Sequence, residues 1–518
     1  MKFVRIGLAA VAIAVVAMGR GALPAQQPPP RTHLVIVVDG LRPDYVTAEV
    51  MPRLTRLGQR GIVFNAHHAV FPTVTRVNAS SFVTGAYPET HGLLGNEIYI
   101  PSANPLRGLD TGERANLEAV ARAEGQLLTT PTLGEILQRA GKKLLGVSSG
   151  STGSSLLLNH TTGNGAVIHY DYTLPPELGA RVLAALGPAP PAATPNDPRN
   201  QRAIDAYLKF GIEQLAPDVT LMWLNDPDGT AHANGIGAPL TRQSLTLVDA
   251  GIGRIEDTLR AMGRLGQTNI IVTSDHGFST ETGTLHLAAL VEPFAKKMPD
   301  GSPDIVVAEG AIYLRNHDDP ARMQGIVTAL QRRPEVGAIF TRPRRLAQNA
   351  ATGQPAGGAA FEGIVPGTLS FDVARWNHAR SGDILVSANW TREANEAGFA
   401  GKTTQEGTAG HGTSSPYDIH NTLIAAGPDF RENATSEIPT GNVDLAPTLL
   451  QLLGVSVPPT MTGRVIREGL REGPSVSSVR VERVTETVKT SDGAYELTAH
   501  TAIVDGHRYL DSTDVVRR

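Results

Sequence analysis

The chain contains no cysteine in its 518 residues. That excludes a disulfide framework, a thiolate metal site and a cysteine nucleophile, so any metal must be held by histidine and carboxylate side chains. Neither sign of charge prevails. The formal net charge is −4 and charged residues are 19% of the total, which gives no reason to expect a nucleic-acid polymer or an anionic membrane surface as a partner. Long apolar runs are also scarce. A 13-residue run, Ile6–Met18, follows Lys2 and Arg5 and precedes small residues around Ala22 and Ala25. This is the pattern of a secretory signal peptide, residues 1–25, with Gln26–Pro30 as a tether. An uncleaved anchor, the alternative, needs about 20 apolar residues. No later run is long and apolar enough to span a bilayer. The mature protein is therefore expected to be exported, periplasmic or secreted, without stable membrane insertion.

What remains is an ordinary globular composition, 41% hydrophobic, long enough for one large α/β domain with an insertion or for two to three smaller domains. His33–Gly40, Leu144–Ser148, Val219–Leu224 and Asn269–Thr273 are continuous apolar runs, as expected of strands buried on both faces of a parallel sheet. Helical periodicity falls between them, over Met51–Arg60, Pro131–Ala140, Gln201–Leu215 and Leu245–Met262. This alternation predicts a doubly wound α/β core. Residues 285–405 break the rhythm and read as an inserted cap. Within it, Ala311–Arg315, the helix Pro320–Arg332 and Val336–Thr341 suggest a small β-α-β unit, and Ala350–Ala360 a loop. The catalytic domain would run over 26–475, and the alternation in 476–518 predicts a β-rich C-terminal extension.

Three of the strand runs end in acids: Asp39, Asp226 with Asp228 just beyond, and Asp275. In open parallel sheets ligands bind outside the carboxyl ends of the strands, so these acids would converge. His232 lies one helical turn from Asp228, His276 adjoins Asp275, and His411 sits in a glycine-rich loop. Three imidazoles and three carboxylates suffice for two divalent cations. Such a donor set favours zinc and also accepts manganese or iron. The stretch Phe71–Asn96 adds a candidate nucleophile, Thr75, at the start of a short helix, where backbone N–H groups favour an anion. Threonines before helices are commonly plain caps. Thr75 becomes a nucleophile only if a base or a metal lowers its pKa. Asn96, 21 positions on, is the candidate for holding a phosphoryl oxygen.

The segments VVDGLRPD (37–44), PTVTRVNASSFVTGAYPETHGLLGN (72–96), DGTAH (228–232), TSDHG (273–277) and GHG (410–412) together resemble the alkaline phosphatase superfamily, in its nucleotide pyrophosphatase/phosphodiesterase-like branch. The resemblance implies a three-layer α/β/α core with a mostly parallel central sheet. It implies two zinc ions, one held by Asp228, His232 and His411, the other by Asp39, Asp275, His276 and Thr75. Thr75 would form a phosphothreonine, and the D-x-x-x-H spacing selects Asp228 over Asp226. His67, His68, His91, His286 and His420 match no ligand position and read as structural or supporting. Monoesterases of this type carry a Lys-x-Arg pair after the second helix. Here that segment is VSSGSTGSS (147–155), which favours phosphodiester or nucleotide pyrophosphate substrates, small phosphate esters in either case. A phosphomonoesterase, a phosphonate hydrolase and a non-catalytic phosphate-ester binder remain as alternatives. The oligomeric state is not legible.

Overall fold

The computed structural model describes residues 31–317, 319–344 and 361–518. The expected signal segment, its tether and the Ala350–Ala360 loop lie outside the described residues.

The central sheet has nine strands: β1 (Thr32–Val38), β2 (Ile62–Phe64), β3 (Leu144–Ser148), β4 (Ala166–His169), β5 (Thr173–Leu174), β6 (Val219–Leu224), β7 (Thr268–Thr273), β8 (Leu423–Ala426) and β9 (Ala434–Ser436). Their spatial order is β9-β2-β8-β7-β1-β6-β3-β4-β5. Neighbours pair in parallel except at β7–β8, β8–β2 and β4–β5. In β1, Leu34, Ile36 and Val38 enter one apolar layer and Val35 and Val37 the other. Burial on both faces is why the strand reads as an unbroken apolar run.

Helices cover both faces. On one side α1 (Pro52–Arg60) and the long α4 (Pro239–Ala261) bury Leu54, Leu57, Val248, Ile252 and Ile255. On the other, α2 (Thr75–Thr84) buries Phe82 and Val83. The short α3 (Asp228–Asn234) follows the end of β6. The result is the three-layer α/β/α core with a mostly parallel sheet.

Two expectations need correction. The helix expected over Gln201–Leu215 is the end of an α-helix, Asp197–Asp205, that runs on as a π-helix, Ala206–Leu215. A Cβ on Gly211 would lie 2.7 Å from Leu145 Cδ2, so this wider turn packs its backbone directly on β3. The expected β-α-β unit is split. Strands Ala311–Leu314 and Val336–Thr341 are not neighbours, because Ile384–Ala388 lies between them, antiparallel to both. Sheet order is non-local, and a strand arriving about 70 residues later is invisible to a local pattern. Strands Glu482–Lys489, Tyr495–Val504 and His507–Arg517 form an antiparallel meander.

Candidate active site

The strand ends bring the acids together. Asp39 follows β1, Asp228 opens α3 just past β6, and Asp275 follows β7, and all three are buried. Each is anchored differently. Asp39 Oδ2 accepts from Trp223 Nε1 at 2.9 Å. Asp275 Oδ1 accepts the Gly40 N–H at 3.2 Å. Asp39 Oδ1, Asp228 Oδ1 and Asp275 Oδ2 are buried without a hydrogen-bond partner among the described residues.

Three imidazoles face these oxygens. His276 Nε2 lies 3.1 Å from Asp275 Oδ2 and 3.5 Å from Asp39 Oδ1. Asp228 Oδ1 is 3.2 Å from His232 Nε2 and 3.4 Å from His411 Nε2. In each ring the other nitrogen is committed to a carbonyl: His232 Nδ1 to Ala409 at 2.8 Å, His276 Nδ1 to Gly277 at 2.9 Å and His411 Nδ1 to Thr73 at 2.8 Å. A carbonyl only accepts, so each Nδ1 carries a proton and each ring turns its Nε2 inward, as a lone pair whenever the ring is neutral. Lone pairs then confront carboxylate oxygens, an arrangement that calls for cations.

The electrostatics agree. Burial, then the charges of Asp275 and Asp228, push the Asp39 carboxyl well above its usual range. Burial alone would lower His232, yet Asp228 lifts it to about 9. His276 is likewise raised, Asp275 outweighing burial. Protons thus gather on Asp39, His232 and His276, whereas burial and then the neighbouring His276 lower His411 to about 4.

The donor atoms form two groups, Asp228–His276–His411 and Asp39–Asp275–His276. His276 belongs to both because its ring stacks on His411, with centroids 3.5 Å apart. His232 approaches the first group through Asp228. Gly277 does not take a left-handed conformation. A Cβ there would lie 2.0 Å from the Tyr417 carbonyl, so glycine is required for close packing.

Thr75 Oγ1 is 3.3 Å from His276 Nε2, at the first position of α2. Asn96 Oδ1 accepts the Arg76 N–H at 3.0 Å, which places its amide beside the same helix start. The loop of Asn96 is fixed by residues that the sequence did not single out. Thr111 donates its N–H to the Asn96 carbonyl at 2.8 Å, and Glu309 accepts the Asn96 N–H at 2.7 Å. Trp223 is fully buried in β6 and also serves Asp39. Asp226 accepts from Thr230 and Asn196 at 2.7 Å each and supports the loops. Segment 147–155 contributes buried serines, with Ser149 Oγ donating to Asn200 at 2.6 Å, and no cation.

The fold places the chain in the alkaline-phosphatase-like class. It superposes on a four-site variant of the alkaline phosphatase PafA with a TM-score of 0.63 at 18% identity, covering 86% of this chain and 99% of that one. An inactive variant of murine ectonucleotide pyrophosphatase/phosphodiesterase 5 in complex with AMP gives 0.57 at 17%, covering 83% and 96%. More narrowly, the chain belongs to the type I phosphodiesterase / nucleotide pyrophosphatase family, whose model matches residues 33–408. It is 27% identical over 249 residues to human ectonucleotide pyrophosphatase/phosphodiesterase family member 1, covering 47% of this chain and 23% of that protein. The venom phosphodiesterase of Naja atra is 25% identical over 246 residues, covering 47% and 26%. The match thus spans about a quarter of these relatives' length. Among the described residues no helix is long and apolar enough to cross a membrane.

Proposed function

We propose that the protein hydrolyses phosphodiester or nucleotide pyrophosphate bonds through a phosphothreonine on Thr75. The observation that carries this reading is the set of three inward Nε2 atoms set against three carboxylate oxygens that lack a hydrogen-bond partner among the described residues, with the Thr75 hydroxyl beside them. Asp228, His232 and His411 would hold one divalent ion, and Asp39, Asp275 and His276 with Thr75 the other. Zinc is the best match, and manganese or iron also suits these donors. When bound, such a pair lowers the pKa of a coordinated hydroxyl and neutralises charge developing on phosphoryl oxygens.

The chain's own residues do the rest. Thr75 Oγ1 attacks phosphorus, the Oγ1–P bond forms, and the P–O bond to the leaving group breaks. Water then attacks the phosphothreonine, releasing the phosphoryl product and returning Thr75. The positive end of the α2 dipole faces negative charge favourably. Asn96 has its oxygen engaged by Arg76, so its amide N–H groups are what it can offer a phosphoryl oxygen.

AMP bound to the murine neighbour supports a nucleotide product on this fold. The missing Lys-x-Arg pair in 147–155 supports a diester. One observation favours a monoester instead: Arg76 adjoins Thr75, and its Nε is buried without a hydrogen-bond partner among the described residues. We further infer that 285–405 forms a cap over the site, which the reach of Glu309 to Asn96 supports, and that the N-terminal pattern directs export.

The test is hydrolysis of bis-p-nitrophenyl phosphate against p-nitrophenyl phosphate, after chelation and after zinc is restored. Zinc-dependent preference for the diester is expected. Preference for the monoester would transfer the assignment to a phosphomonoesterase using Arg76. Failure on both esters, with zinc bound, would reject hydrolysis of either class.

A further inference from the structure

A second group of metal-type donors lies away from the candidate active site. His68 and His420 are direct partners on antiparallel strands, His67–His68 and His420–Asn421. Asp511 reaches them from the last strand, His507–Arg517. We propose that His68, His420 and Asp511 form a further site for a zinc-class divalent ion, clamping the C-terminal meander to the core. The proposal is independent of the catalytic reading above.

The geometry carries it. His68 Nδ1 lies 2.8 Å from the Thr440 carbonyl, so that nitrogen holds a proton and Nε2 is the free donor atom. Asp511 Oδ1 lies 2.8 Å from His68 Nε2 and 3.9 Å from His420 Nε2. Both rings therefore converge on one carboxylate oxygen. A tetrahedral ion with bonds of about 2.0–2.1 Å separates its ligand atoms by about 3.3–3.4 Å. The two distances bracket that value, so a shift of roughly half an ångström per donor would close the shell. A plain imidazolium–carboxylate pair needs only His68 and Asp511, whereas here the second ring, which also hydrogen-bonds the Asp511 backbone, turns its Nε2 toward the same carboxylate oxygen. The two rings lie 4.6 Å apart, centroid to centroid, and the buried Tyr509 stacks on His68 at 5.5 Å.

Two imidazoles and one carboxylate carry a single negative charge, which suits a dication. Three protein ligands leave a fourth position, and the partial exposure of His420, 31%, opens it to water. Candidate catalytic groups lie close in the chain. His67, next to His68, contacts Asn442 Oδ1 at 2.9 Å, and Asn442 donates to the Asp275 carbonyl at 2.8 Å. Asn421, next to His420, donates to the Ser274 carbonyl at 2.5 Å. An ion here would brace the backbone that carries Asp275 and His276.

The experiment uses the full chain with Asp39→Asn and Asp228→Asn, which removes one carboxylate from each catalytic group. Equilibrium dialysis with zinc, read by elemental mass spectrometry, is expected to give one equivalent per chain. Adding His420→Ala or Asp511→Asn should reduce it to zero, with circular dichroism unchanged. Cobalt in the same background should show the visible absorption of a four-coordinate ion, lost with either change. In the otherwise native chain, His420→Ala should bind one equivalent fewer than the parent. No ion bound in the double variant, or an ion that survives both additional substitutions, would overturn the proposal and leave an ordinary His68–Asp511 pair. Because the background removes one carboxylate from each catalytic group and the count is read as the loss on His420→Ala or Asp511→Asn, failure of the catalytic reading would not change this difference.

Discussion

Glu309 and Asn96 are 213 positions apart, and a carboxylate oxygen of the first accepts the backbone N–H of the second at 2.7 Å. Glu309 sits at the tip of the hairpin between Ile305–Ala308 and Ala311–Leu314, with φ 55, a left-handed conformation that is uncommon outside glycine. The hairpin thus reaches the loop of the candidate phosphoryl-oxygen donor. Removing a charged acceptor from an N–H costs about 1.5 kcal/mol at the low end, roughly tenfold in kcat/KM. Glu309→Ala should show that loss with an unchanged melting profile, and Glu309→Gln, which keeps an acceptor, should recover most of it. If Glu309→Ala matched the parent in kcat/KM, the hairpin would have no part in positioning Asn96.

Thr75→Ala should keep the fold and the metal content and reduce turnover by at least about a hundredfold, as expected when a covalent nucleophile is lost. The hydroxyl donates no hydrogen bond on which α2 depends, because the helix is entered through Val74 without a side-chain cap. Acid quench of the native chain during turnover, followed by peptide mass spectrometry, should find phosphate on Thr75. Turnover near normal in the alanine variant would remove Thr75 from the mechanism.

The legible part of this protein is the part written in local pattern. β1, β6 and β7 each carry a central apolar run because both faces are covered, and acids just past such runs stand out, so Asp39, Asp275 and the pair Asp226 and Asp228 could be read from the pattern, with the family resemblance choosing Asp228. His232 was legible from one helical turn. Glu309 was not, since its role depends on a hairpin whose strands give no sign of what the tip meets. The Ala308–Glu309–Gly310–Ala311 turn was the only available signal. Trp223 alternates inward along β6 like any core residue, and nothing in the sequence reveals that its ring nitrogen meets Asp39. The carbonyls of Thr73 and Ala409, which set the tautomers of His411 and His232, are backbone atoms with no residue signature. The same holds for the order of the five-stranded sheet, decided by Ile384–Ala388 inserting between two strands that are close in sequence.

Trp223→Phe isolates the Asp39 contact. The indole is fully buried, and Phe retains most of the apolar volume while deleting the N–H that engages Asp39 Oδ2. Loss of a partner that orients a metal ligand weakens metal binding by about 10–100-fold. Zinc titration against a competing chelator should show that decrease, with diester activity recovered at high zinc. Unchanged affinity would mean that Asp39 needs no help from Trp223 to hold its orientation.

Zinc binding should release protons and stabilise the protein more as pH rises. In the metal-free chain Asp228 lifts His232 to about 9, so its ring is protonated at pH 7, and an imidazole must be neutral to ligate. A group whose pKa is raised on folding contributes stability that is complete below its unfolded value, about 6.5, and is lost as pH climbs to the folded value. Between about pH 6.5 and 9 the metal-free protein should therefore lose the part of its stability that His232 supplies. The loaded protein, in which the ion replaces that proton, should not. The zinc-induced rise in Tm should grow across this window. Calorimetric titration at pH 7 in buffers of different ionisation enthalpy should detect about one or more protons released per chain. A Tm increment independent of pH together with no proton release would mean that His232 is not displaced by the ion and does not belong to the metal-binding set.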